Sequence, residues 1–221
     1  MNESVRILYE DAAILVAVKP CGMPSQPDPS GAPDLLSHLQ GRFGEVYLVH
    51  RLDRRVGGIT VLARNKAAAA SLGSAVSSHV NFRKEYLAVS AMRQEACELV
   101  DYLFHDRRLG KAYPVKGERK GAKRASLSFA PLESRETEVG ELTLYRVLLH
   151  TGRFHQIRVQ FATHGMPLYG DGKYGSRIKG SIGLWAHSLA FLHPVSGEQL
   201  SFSAPPPAEL PWTYFSSREL A

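Results

Sequence analysis

Two stretches about a hundred residues apart hold the side chains best suited to chemistry. The first is His50-Arg51-Leu52-Asp53 and the second is Thr151-Gly152-Arg153-Phe154-His155-Gln156-Ile157-Arg158. Asp53 follows the apolar run Val46 to Leu52 and precedes Arg54-Arg55-Val56-Gly57-Gly58. A carboxylate at a strand end beside a Gly-rich turn can stand clear of its own backbone and face a substrate. It can equally cap the turn and pair with Arg51 or Arg55. In the second stretch, Arg153 and Gln156 are three apart and share a helical face. A helix N-terminus carrying Thr151, Arg153 and His155 suits a phosphate or a carboxylate, while periodicity alone also fits a surface amphipathic helix. One carboxylate with arginines at hand points to an enzyme acting on a polyanion, with Asp53 at its centre.

Other chemistries find less support. A glycoside hydrolase needs two carboxylates flanking the scissile bond, and the motifs around Asp53 supply arginines and a tyrosine but no second acid. The nine histidines are scattered, and His150 with His155 lacks a further ligand at helical spacing, so no metal site and no cofactor are expected. His155 reads as a structural or hydrogen-bonding residue. Tyr86, taken alone, reads as a core residue.

The elements that must position these residues follow from periodicity and turn signals. Val5 to Tyr9 and Ile14 to Val18 predict two short strands, and the Pro-, Gly- and Ser-rich stretch from Val18 to about Gly31 predicts repeated turns. Asp34 to Phe43 predicts a short helix. Val46 to Leu52 and Ile59 to Ala63 predict strands, and Asn65 caps a predicted helix from Lys66 to about His79. Further strands are predicted at Lys84 to Ser90, Leu99 to Phe104, Ser126 to Pro131, Leu142 to His150, Trp185 to Leu192 and Gln199 to Phe202. Arg153 to His164 predicts a helix that ends at Gly165. Pro205-Pro206-Pro207 is expected to end regular structure. Strands outnumber helices and mostly follow one another through turns. This gives an α+β class with a mixed, largely antiparallel sheet and flanking helices, read as a single domain over residues 1–221.

Composition bounds the rest. The chain has 221 residues, 44% hydrophobic and 22% charged, enough for a core without disulfides or metals. Its two cysteines, Cys21 and Cys97, form no spacing motif and suit a reducing compartment. The N-terminus has no signal-peptide pattern, and no apolar run reaches the roughly 20 residues of a membrane span. A cytoplasmic monomer is expected. The formal net charge is +6, which favours an anionic partner such as nucleic acid. Much of that charge is local. From Asp106 to Arg124 eight basic residues (Arg107, Arg108, Lys111, Lys116, Arg119, Lys120, Lys123 and Arg124) face two acidic ones, Asp106 and Glu118. The segment reads as a solvated, mobile hairpin, as a surface for backbone phosphates, or as both.

Taken together, the motifs resemble the RluA-type family of RNA pseudouridine synthases. His50-Arg51-Leu52-Asp53 with its Gly-rich turn and Ile59-Thr60-Val61-Leu62-Ala63-Arg64 is similar to that family's signature. Lys84-Glu85-Tyr86-Leu87-Ala88 resembles its Lys-x-Tyr-x-Ala strand, and Thr151 to Arg158 its third motif. Gly170-Asp171, Tyr174-Gly175, His187, His193-Pro194 and Ser196-Gly197-Glu198 continue the match. The resemblance runs from about Ile7 to Pro207, with four motifs in order.

The resemblance implies isomerisation of uridine to pseudouridine in rRNA or tRNA, with the target base flipped out. Asp53 matches the family's catalytic aspartate, acting as nucleophile or as base at the ribose. Arg158 matches the arginine that pairs with it, and an adjacent cation favours the charged carboxylate. Tyr86 matches the tyrosine that stacks on the flipped base. Arg51 matches a residue that enters the RNA stack, where a guanidinium plane partly offsets lost stacking. His50, Arg153, His155 and Gln156 join Arg51 as expected RNA contacts, together with Arg119, Lys120, Lys123 and Arg124 of the basic segment.

Two positions depart from the family pattern. Val56-Gly57 stands where Thr-Ser is common, and Phe154 stands where Thr is usual. No room is seen ahead of the first strand for a small S4-type RNA-binding domain, so RNA affinity is expected to come from the catalytic domain. Two other functions remain consistent with the motifs: an RNA-binding protein that keeps the fold without the chemistry, and a glycosidase-like hydrolase releasing free uracil.

Overall fold

The computed structural model describes residues 5–220. In chain order the strands are β1 (Arg6–Glu10), β2 (Ile14–Lys19), β3 (Tyr47–Leu48), β4 (Gly57–Ala63), β5 (Phe82–Ser90), β6 (Cys97–Asp106), β7 (Lys111–Val115), β8 (Ala122–Thr137), β9 (Gly140–Leu149), β10 (Leu184–Leu192) and β11 (Gln199–Ser203). The helices are α1 (Leu35–Phe43), α2 (Lys66–Ser78), α3 (Gln156–Thr163) and α4 (Ser217–Leu220). The chain forms two compact units. One holds the residues up to Lys84 with Trp185–Pro206, and the other holds Glu85–Leu184 with the residues from Pro207 onward. Two of the boundaries fall inside β5 and β10, and the third falls after β11.

In the first unit the strands run β1-β2-β4-β10, with β3 on β4 and β11 on β10. The pairs are antiparallel except β10 with β4, which is parallel. Period-two alternation sorts β2 onto two faces. Ile14 and Val16 pack with Ile59, Val61 and the α2 residues Ala68 and Leu72. Leu15 and Ala17 pack with Leu62 and the α1 residues Leu35 and Leu39. With helices on both sides, β4 is buried along its whole length, which is why it reads as a continuous apolar run. Asp34 caps α1 by accepting from the Ser37 amide, and Asn65 caps α2 by accepting from the Ala68 amide.

The second unit orders its strands β5-β9-β8-β6-β7, and α3 covers one face of them. Phe129 of β8 and Tyr145 of β9 pack on Phe161 of α3, and Leu103, Ala112 and Ala125 pack on Val159. Arg146 and Glu85 pair at 3.9 Å on the opposite face. Tyr86, one residue on from Glu85, therefore points to the α3 side.

Four expectations need correction. The predicted strand Val46 to Leu52 shrinks to Tyr47–Leu48, because beyond it the backbone hands its groups to side chains. The predicted helix Arg153 to His164 begins only at Gln156. Its predecessor His155 has φ of +52°, outside the helical region. Regular structure does not end at the prolines: a 3-10 turn at Trp212–Tyr214 buries Trp212, and α4 follows. The basic segment is not a lone hairpin. β7 pairs with β6, whose other edge takes β8, so the charges lie on an edge strand, a connecting loop and the start of a central strand.

Candidate active site

In the first unit the site is built around the Asp53 turn. Ser25 Oγ donates to the Leu52 carbonyl at 2.9 Å and accepts from the Leu52 amide at 3.1 Å. One hydroxyl thus holds both backbone groups of the residue before Asp53. The turn closes where the Val56 amide donates to the Asp53 carbonyl at 3.0 Å. The Gly22 amide donates to the Arg54 carbonyl at 2.8 Å, and Arg54 Nε returns a bond to the Gly22 carbonyl at 3.0 Å. The Pro- and Gly-rich loop is therefore the clamp of this turn. Asp53 stays partly exposed, and Arg51, Arg54 and Arg55 are exposed around it.

Beneath the turn lies Lys19, which the sequence reading missed. It is fully buried. Its ammonium donates to the carbonyls of Met23 at 2.7 Å, Pro20 at 3.0 Å and Arg54 at 3.4 Å. Desolvation lowers its pKa to about 8, opposed by the charges of Cys21 and Asp53. At neutral pH it is a cation under the Asp53 turn. The available signal was a lysine ending an otherwise apolar strand.

His50 does not present a charge. Its Nε2 accepts from the Val61 amide at 3.4 Å, with Thr60 Oγ1 also at 3.4 Å. Burial, and then the charge of Lys84, push its pKa down to about 3. A neutral ring engaged this way supports β4 from below and serves the chain rather than a phosphate.

The glycine after Val56 has a tertiary cause. A Cβ at Gly57 would lie 2.4 Å from Cζ3 of Trp185 and 2.9 Å from Sγ of Cys21. Trp185 is buried and its indole N–H donates to the Ala204 carbonyl at 2.9 Å. The departure from Thr-Ser is thus matched by an indole in the space a serine side chain would take. Gly58, at φ +120°, lies against the Ala186 backbone of the parallel partner strand.

The second unit contains a buried ion pair of its own. Arg158 Nε donates to Asp171 Oδ2 at 2.7 Å and Nη2 to Oδ1 at 2.8 Å. The side chains are 4% and 0% exposed. This fork fixes the plane of the guanidinium, and Tyr174 lies 5.2 Å from its carbon. Asp171 was read only as part of a motif; the structure makes it the holder of Arg158. Its own position is set by a turn in which the Tyr174 and Ser176 amides donate to its carbonyl. Gly170 has φ of +68°, and a Cβ there would lie 2.4 Å from the Ser181 carbonyl oxygen.

The other residues of the third motif largely serve the loop. Gln156 is buried. Its Oε1 accepts from Thr151 Oγ1 at 2.7 Å and the Arg153 amide at 3.0 Å, and its Nε2 donates to the Ser126 carbonyl at 3.0 Å. Expected as an RNA contact, it is spent inside the fold. Arg153 Nε donates to the Arg124 carbonyl at 2.9 Å. His155 lies 2.9 Å from the Tyr174 hydroxyl. Burial first, then the charge of Arg158, lower its pKa to about 3. Arg119, Lys120, Lys123 and Arg124 are exposed. Tyr86 is buried on the α3 side of its strand.

Comparison with known proteins places the chain in a family. A family model described as RNA pseudouridylate synthase matches residues 13–163. An RNA pseudouridine synthase of Aquifex aeolicus is 31% identical over 231 residues, covering 93% of this chain and 71% of that protein. Ribosomal large subunit pseudouridine synthase D of Vibrio parahaemolyticus is 32% identical, covering 92% of this chain and 68% of its own. Among solved structures, human RNA pseudouridylate synthase domain containing 1 shares the fold with a TM-score of 0.76 at 23% identity, over 94% of this chain and 85% of that one. With the motifs, the fold and the relatives in agreement, the chain belongs to the RNA pseudouridylate synthase family and is an isomerase that converts uridine in RNA to pseudouridine.

Proposed function

We propose that this synthase modifies uridine in rRNA or tRNA, with Asp53 as its catalytic carboxylate. The observation that carries the reading is the Asp53 turn. Its backbone is held by Ser25, Gly22 and Lys19, while Asp53 itself keeps access to solvent among exposed arginines. A rigid backbone under an accessible carboxylate suits a group that must reach a flipped nucleotide. In this reading Arg51 takes the place of the departed base, Tyr86 stacks on that base, and Arg158 supplies the positive charge that keeps Asp53 ionised. Both units serve one catalytic domain, and the enzyme works as a cytoplasmic monomer.

Tritium release from rRNA and tRNA carrying 5-³H-uridine tests the assignment. Wild-type protein releases tritium, and Asp53→Asn releases none while still binding RNA. Full activity in that variant overturns the role of Asp53.

The reading gives the basic segment a phosphate role. Replacing Arg119, Lys120, Lys123 and Arg124 with Ala weakens RNA binding. It also reduces the slope of log K against log salt by about 3, since each phosphate no longer neutralised lowers it by roughly 0.7–0.9. An unchanged slope makes the segment a solvated surface only.

A further inference from the structure

The Phe154 departure belongs to an arrangement that the assigned roles do not use. The ring of His105, near the end of β6, stacks on Phe154 with centroids 3.9 Å apart and planes 16° apart. Phe154 stacks on His155 in turn, at 3.9 Å and 24°. His155 meets Tyr174 edge-on at 5.6 Å, and the Arg158 guanidinium lies over the Tyr174 ring. A column of three near-parallel rings therefore runs outward from the Arg158 neighbourhood to the surface. Its inner ring, His155, is half-buried and neutral, and its outer ring, His105, is exposed.

Two details say what this column can hold. His105 pairs with the buried Ala112 of β7, which places its side chain on the α3 face of the sheet, the face to which Tyr86 also points. Arg107 and Arg108 follow it at the hairpin tip, both exposed. A flat π surface flanked by cations matches one ligand chemistry closely: a heterocyclic base on an anionic backbone. A threonine at position 154 could not carry the stack.

We propose that the His105 end of the column is a stacking subsite for an unpaired base of the RNA substrate other than the target uridine. The proposal rests on the reading of this protein as an RNA-modifying enzyme that flips its target. It adds a second point of base contact, made by Phe154 and His105 together. Arg107 and Arg108 take the adjoining phosphates.

The test uses full-length protein carrying Asp53→Asn, so that bound RNA stays unmodified. The probe is an RNA hairpin with a uridine-containing loop and 2-aminopurine placed at successive loop positions. Stacking quenches 2-aminopurine. The expected result is quenching on binding at one loop position. His105→Ala abolishes it and weakens binding roughly tenfold, and His105→Phe retains it. Because His105 is exposed, both variants are expected to keep the wild-type unfolding temperature. Phe154→Thr, which removes the middle of the column, should behave as His105→Ala. Equal quenching and affinity in wild type and His105→Ala, or no quenching at any position, overturns the proposal. Tritium release by the protein without the Asp53 substitution decides the catalytic reading separately.

Discussion

The Asp53 turn and the buried Arg158 ion pair are built on opposite principles. The Asp53 turn is held through backbone groups. Ser25 bonds to the amide and carbonyl of residue 52, and Gly22 and Lys19 donate to the carbonyl of residue 54. Arg158 is held through side chains, by a desolvated guanidinium and carboxylate. Backbone support leaves the side chain at its apex replaceable without loss of the fold. A buried ion pair ties function and stability together, since removing one partner strands the other's charge.

The largest expected effect lies in the second region. Asp171→Ala removes the carboxylate that grips the buried Arg158 guanidinium and should destabilise the protein by about 3–5 kcal/mol. Urea denaturation measures this, and activity should fall with it. Asp53→Asn should abolish activity with an unfolding midpoint close to that of wild type. Similar stability losses in the two variants would erase the contrast between the regions.

Gly57→Ser probes the first region from within its own packing. The new Cβ meets Trp185 and Cys21, and the overpacking should cost about 1–3 kcal/mol. Combined with Trp185→Leu, the serine should cost much less, and a double-mutant cycle by urea unfolding would expose the coupling. An additive result would show that the indole does not set the glycine.

The smallest effect is shared, because each region holds one half-buried neutral histidine. His50 and His155 have folded pKa values of about 3, against an ordinary 6.5. Between those values the unfolded chain binds more protons than the folded one. Stability therefore rises with pH across this window and is lost on acidification. At pH 5 the loss is at most about 2 kcal/mol per histidine, and less where solvent screens the ring. Melting temperatures at pH 7 and pH 5 should show the decline, and His50→Gln or His155→Gln should each flatten it. A flat wild-type profile would mean that neither ring is held neutral.

Reading from sequence succeeded where local rules carry the information. Alternation marked β5, the predicted helix from Asp34 to Phe43 matches α1 to within a residue, and the Asn65 cap placed the start of α2. The motifs carried the family because they follow one another in order along the chain. It failed where a side chain answers to a distant partner. Val46 to Leu52 looks like a strand by its apolar run, yet Leu52 gives its backbone bonds to Ser25, 27 residues away. Arg153 looks helical by spacing, but Gln156 folds back onto Thr151 and Ser126 and holds the preceding residues out of the helix.

By itself, then, the sequence determined the α+β class and the principal elements, since composition and periodicity are properties of the chain read in line, and its motifs carried the family resemblance that implies RNA isomerisation. The tertiary structure alone decided how those groups are held. Lys19 under the Asp53 turn, Asp171 gripping Arg158, Trp185 requiring Gly57, and the His105–Phe154–His155 column all depend on burial and on angstrom-scale approach between residues far apart in the chain. Desolvation and close packing act only on atoms brought together by folding, and no local pattern encodes them.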